Sequence, residues 1–135
     1  MGEFRLHPQL EQDSVPVIML ELSEVRLQTD ANYPWLVLVP QLAGARHIHR
    51  LSEHDQQLLL RETSYVAERF EKFTGADNIN VAALGNMVPQ LHVHIVARFE
   101  GDPAWPGPIW GIVPRKPYEA KALEAFKENL KAVLV

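Results

Sequence analysis

The chain contains no cysteine. Disulfide frameworks and thiolate metal sites are therefore excluded, and the redox compartment stays open. Basic residues are not in excess. Thirteen Lys and Arg stand against 17 Asp and Glu, a net charge of −4. A broad nucleic-acid footprint needs a basic face, so nucleic acid is not an expected partner. Small phosphorylated ligands, which need only a few local donors, stay open. No apolar run approaches the ~20 residues that span a bilayer. The opening MGEFRLHPQL also lacks the apolar core of a signal peptide. No membrane contact is expected, and the expected location is cytoplasmic. Repeats, low-complexity tracts and linkers are missing too, which predicts a single domain over 1–135.

What is present has clear periodicity. VPVIMLELSEVRLQ contains two short apolar runs, near Val15–Leu20 and Val25–Leu27. PWLVLVP, bounded by Pro34 and Pro40, fits a strand buried on both faces. After the loop LAGARHIH, Ser52 and Asp55 occupy capping positions. Leu59, Val66, Phe70 and Phe73 then recur at helical spacing up to Gly75, which predicts a long helix over Glu53–Thr74. INVAAL reads as a strand, Gly85-Asn86 as a tight turn, and MVPQLHVHIVAR as the hairpin partner. A Pro- and Trp-rich loop follows. A last helix is expected after Pro117, with Leu123, Phe126, Leu130 and Val133 as its apolar stripe. This order predicts an α+β domain, an antiparallel sheet of about five strands with a long central helix and a C-terminal helix.

Side chains alternate along a strand. In QLHVHIV, Leu91, Val93 and Ile95 therefore share the core face, and Gln90, His92 and His94 share the other. Imidazole serves as nucleophile, acid/base or metal ligand. A His-x-His pair is by itself also common on a solvated strand face.

The same segment resembles the signature of the histidine triad (HIT) superfamily, His-φ-His-φ-His-φ-φ with φ apolar. His92 matches the middle histidine and His94 the third, while Leu91, Val93, Ile95 and Val96 fill the apolar positions. PWLVLVPQLAGARHIHRL resembles the family's strand-Pro-loop-His segment, and AWPG its C-terminal Trp-Pro element. The likeness covers roughly residues 15 to 110. It implies a HIT-like fold and a hydrolase or transferase acting at the α-phosphate of a nucleotide, through a covalent nucleotidyl-histidine. His92 is then the nucleophile, and His94 contacts phosphoryl oxygens. No cofactor or metal is implied. Arg98 stands where the dinucleoside-polyphosphate branch has arginine, so such substrates are expected.

The sequence departs from the pattern at two positions. Gln90 replaces the first histidine; it hydrogen-bonds but cannot titrate. As a supporting group it is counted with the catalytic residues, and histidine there is expected to retain or raise turnover. Met87 stands where several members carry a hydroxyl that assists the leaving group. Substrate contacts are expected from Asn86, near a phosphate-touching amide in relatives; from Asp30, at a ribose position; from His47, after the Pro-loop; and from Arg98. Each of Asp30 and His47 also has a plainer reading, as turn or loop capping. Trp105 and Trp110 suit a base, a subunit contact or their own loop. His7 and His54 read as surface residues.

Two other functions compete. Gln90 and Met87 fit a nucleotide-binding module with little turnover, and phosphoramidates are alternative substrates. A metal protein using His47 and His49 with His92 and His94 is the third reading. Relatives are commonly homodimers, and an open sheet leaves edges that a second copy could cover.

Overall fold

The structure, a computed structural model, describes residues 2–135. One five-stranded antiparallel sheet runs in the order β1-β2-β3-β5-β4. Its strands are β1 (Ser14–Met19), β2 (Ser23–Gln28), β3 (Trp35–Pro40), β4 (Asn78–Ala82) and β5 (Val93–Arg98). The helices are α1 (Pro8–Asp13), α2 (Glu53–Thr74) and α3 (Ala120–Leu134). The α+β architecture expected from the sequence is the one observed. Among the described residues, no helix is long and apolar enough to cross a membrane.

The long helix begins and ends where local chemistry dictates. The Ser52 hydroxyl accepts the Asp55 N–H, which satisfies an orphan amide of the first turn. Gly75, at φ 70°, stops the helix in a left-handed conformation that costs glycine little. Between these ends Leu59, Val66 and Phe70 are buried. They pack with Leu130 and Leu134 of α3 against Val25, Leu27, Leu36, Leu38, Val93 and Ile95. Both long helices thus cover one face of the sheet. Buried Glu62 ties α2 to the β1–β2 turn by accepting the N–H groups of Leu22 and Ser23 at 2.8 and 2.9 Å.

The opposite face has thinner cover. Leu10 of α1, with Phe4 and Leu6, packs on Val39 and Val88. Tyr33, Ala104 and Ile109 pack on Val96. Between these two patches the sheet faces a cavity.

Three details differ from the sequence reading. Gly85-Asn86 is not a tight turn, because loop 83–92 joins β4 to β5. Gly85 does take a positive φ of 77° within it. The last helix starts at Ala120, three residues past Pro117, and buries Leu134 where Val133 was expected. Helix α1 was not anticipated, although Pro8 at its first turn is a start signal.

Candidate active site

His94 is the second residue of β5, opposite Val37 on β3 and Ala82 on β4. Its neighbours Val93 and Ile95 enter the helical core, so pleating sends His94 to the other face. His92 stands just before β5. The preceding Leu91 is pinned there by its N–H bond to the Ala45 carbonyl. Both imidazoles are buried, and their ring centroids are 4.8 Å apart.

The hydrogen-bond partners assign opposite tautomers to the two rings. His92 Nδ1 lies 2.7 Å from the Gln90 carbonyl oxygen. A carbonyl only accepts, so Nδ1 carries the proton and Nε2 keeps a free lone pair. His94 Nδ1 accepts from the Trp35 indole N–H at 3.0 Å. An indole only donates, so His94 carries its proton on Nε2. The pair therefore offers one nucleophilic nitrogen beside one N–H donor.

Charge state supports this assignment. Burial, reinforced by His92 alongside, pushes the His94 pKa down to about 3. Burial also lowers that of His92; the bond to the Gln90 carbonyl opposes this and nearby His7 adds to it. Both rings are thus neutral at neutral pH, as a nucleophile must be.

The two rings form part of the wall of a cavity of about 570 Å³, a volume suited to a small molecule. Leu10, Leu84, Val88 and Trp110 supply apolar surface, and Trp110 meets His94 edge-on at 5.4 Å. Asn86 and Arg115 line it too. The Arg115 guanidinium bonds the Asp13 carbonyl and the Thr29 hydroxyl. Gln28 is buried at the wall, and its Oε1 has no hydrogen-bond partner. Met87 is almost fully exposed at the edge.

Of the residues singled out in the sequence, His92, His94 and Asn86 come together in this cavity. Gln90 does not line it. It lies with Arg46, His47 and His49 in a smaller recess of about 210 Å³ that shares His92. His47 is therefore near His92 but outside the main cavity. Asp30 takes the plainer of its two readings. Its carboxylate accepts the Asn32 N–H and side-chain amide and the Lys116 N–H, and it lines neither space. Arg98 is likewise no cavity residue. It is 2% exposed and its guanidinium bonds Asp102, Asn80 and the Gly107 carbonyl. Strand alternation puts it on the correct face, but the 99–107 loop covers it. Trp105 packs near the same guanidinium, 5.8 Å from its ring. Among the described residues, no three His, Cys, Asp or Glu side chains converge as metal ligands would.

Among the cavity residues that sequence reasoning missed are His7, Gln28, Trp35 and Arg115. Trp35 carried a signal, an indole opening an otherwise aliphatic strand. Gln28 did not stand out, in a strand that also carries Glu24 and Arg26. His7 and Arg115 reach the site from chain segments distant in sequence, and no local pattern marks them.

The HIT domain family matches residues 9–101. Three solved structures are similar over nearly the whole chain. A histidine triad protein from Bradyrhizobium japonicum is 42% identical, covering 99% of this chain and 100% of its own, with a TM-score of 0.96. A histidine triad protein from Sinorhizobium meliloti 1021 is 44% identical, with 97% of each chain covered and a TM-score of 0.94. One from Marinobacter aquaeolei VT8 is 44% identical, covering 98% of this chain and 97% of its own, with a TM-score of 0.95. No curated protein matches the chain.

Proposed function

The chain belongs to the HIT domain family, and from that premise we propose that it hydrolyses or transfers nucleotides at the α-phosphate, with His92 as the nucleophile. The observation that carries this reading is the pair of opposed tautomers: an Nε2 lone pair on His92 beside an Nε2–H on His94. In the first step His92 Nε2 attacks the α-phosphorus. The N–P bond forms, the P–O bond to the leaving group breaks, and that oxygen departs with the electron pair. The ring becomes an imidazolium whose Nδ1–H is held by the Gln90 carbonyl, which stabilises the new positive charge. His94 donates Nε2–H to a non-bridging oxygen, where negative charge accumulates. Water then attacks phosphorus, its proton passes to solvent, and the N–P electron pair returns to His92.

The cavity suits a nucleotide. Leu10, Leu84, Val88 and Trp110 give a base apolar contact, and Arg115 with Asn86 gives phosphates cationic and amide partners. The unpartnered Gln28 oxygen offers an acceptor for a ligand hydroxyl or amino group. Met87 cannot donate a proton. That favours a leaving group which departs as a stable anion, as in a dinucleoside polyphosphate, over the amine of a phosphoramidate. A homodimer is also proposed. Strand β4 is a sheet edge, and Leu60 and Val81 beside it are exposed apolar residues around a groove of about 390 Å³.

The test is an alkaline quench, because phosphoramidate bonds are acid-labile. Protein mixed with a dinucleoside polyphosphate should yield a nucleotidyl adduct on His92 by mass spectrometry. An adduct on His94, His47 or His49 overturns the mechanism. Nucleotide binding without turnover supports the binding-module reading instead.

A further inference from the structure

The family's match begins at residue 9, yet the segment just before it reaches the site. His7 is a wall of the cavity that holds His92 and His94. Its Nδ1 accepts the Gln9 N–H at 3.0 Å. The ring proton is therefore on Nε2, and Nε2–H is the one polar group of the ring left without an internal partner.

What holds His7 there is Gln90. The Gln90 Oε1 accepts the His7 N–H at 2.8 Å, and its Nε2 donates to the Arg5 carbonyl at 2.8 Å. The side-chain amide thus pairs with the segment as a neighbouring strand's peptide would, one donor and one acceptor side by side. Its own backbone carbonyl meanwhile holds the His92 proton. A single residue is bonded at one end to the nucleophile and at the other to the N-terminal segment. Imidazole cannot copy this, because its two nitrogens point apart and cannot meet adjacent backbone groups together.

We propose that Gln90 is a positioning residue that fastens the N-terminal segment, and that His7 thereby contacts substrate, donating Nε2–H to a phosphoryl oxygen alongside His94. This rests on the nucleotide reading above. The lowered pKa of His92, to which His7 contributes, agrees with their proximity. The two-point fit also reverses the expectation for Gln90→His, which should lower turnover.

The experiment uses His7→Asn, Gln90→Leu and the double variant. Asparagine still caps α1 through its side-chain oxygen but cannot reach as imidazole does. Calorimetry with AMP and GMP, and with adenosine and guanosine, reads the phosphate contact separately from the base. Loss of a hydrogen bond to a charged group predicts about 10- to 100-fold weaker monophosphate binding by His7→Asn. Nucleoside binding and melting temperature should be unchanged. The double variant should be no weaker than the weaker single variant. Equal monophosphate binding by wild type and His7→Asn overturns the proposal, as does parallel loss of nucleoside binding. Multiplying effects in the double variant overturn the link through Gln90. No monophosphate binding by wild type overturns the nucleotide reading itself, and this proposal with it. His7→Asn decides the first part even if Gln90→Leu fails to fold.

Discussion

The two faces of the sheet are built from the same five strands and do different work. On the helical face the strand residues that turn inward, Ser23 apart, meet aliphatic or aromatic side chains from α2 and α3. On the opposite face the inward residues include Arg26, Gln28, His94 and Arg98, all buried. Burying such groups costs several kcal/mol unless each finds a partner, and the structure shows how most do. Arg26 bonds Ser14 and Glu24, Arg98 bonds Asp102 and Asn80, and His94 bonds Trp35. Where partners are incomplete, at Gln28 Oε1, His92 Nε2 and His94 Nε2, there is a cavity. One face is packed for stability. On the other, Gln28 Oε1 and the two imidazoles meet the cavity, and Tyr33 Oη is a further buried oxygen without a partner.

The sharpest break in this comparison is His92→Ala. On the proposed mechanism it should cost several orders of magnitude in kcat/KM, because it removes the attacking atom. Melting temperature should change little. In wild type the acid limb of kcat/KM should fall below pH 6.5, the ordinary imidazole value, since burial lowers the His92 pKa. A variant retaining full turnover, or an acid limb above neutrality, would break the assignment.

Phe70→Ala is the counterpart on the helical face. Deleting a fully buried phenyl ring should cost about 3–5 kcal/mol in denaturant unfolding. The protein that remains folded should keep its kcat, because Phe70 is on the side away from the cavity. A large fall in kcat per folded molecule would show that the faces are not independent.

Asp102→Ala tests whether the polar face also contributes stability. It leaves the Arg98 guanidinium buried without its carboxylate, a loss of about 3 kcal/mol. In wild type, bonds from Arg98 and from the Phe99 and Trp105 amides hold the Asp102 pKa down at about 2, although burial opposes them. A depressed carboxylate contributes stability above its unfolded value of 3.8, and loses it as pH falls toward 2. The gap between wild type and variant should therefore narrow below pH 3.8. His94 acts in another window. Its pKa is about 3 folded against 6.5 unfolded, so the unfolded chain binds the extra proton. Stability should fall from pH 6.5 down to about 3 and then level off. Chemical unfolding across pH 2–7 reads both windows.

The smallest effect is expected from Trp35→Phe, which keeps the ring but removes the N–H that sets the His94 tautomer. About 1 kcal/mol of stability and about tenfold in turnover should go. Unchanged turnover would show that His94 keeps its tautomer without the indole.

Much of the scaffold was legible along the chain. Ser52, the recurrence of Leu59, Val66 and Phe70, and Gly75 delimit α2 at the residues observed. Alternation in Leu91–Ile95 separated the core face from the histidine face. The site was legible only as far as alternation reaches. It named His92 and His94, and it set Arg98 on the same face without showing that a loop would cover it. Asp30 read as a ribose contact or a turn residue, and its carboxylate is a hub for Asn32 and Lys116. Gln90 read as sharing the face of His92 and His94, and its side chain instead bonds the N-terminal segment.

What the sequence by itself determined is therefore whatever depends on neighbours in the chain: helix limits, strand faces, and the pair of imidazoles one residue apart. The tautomer of one of them, His94, was decided by tertiary structure. A carbonyl two residues away holds one ring and an indole 59 residues away holds the other. The remaining cavity walls, His7 from one end and Arg115 from the other, were also set by folding. The physical reason is range. Backbone periodicity and capping act over a few residues, whereas a buried polar group takes its partner from whatever part of the chain packing brings within 3 Å.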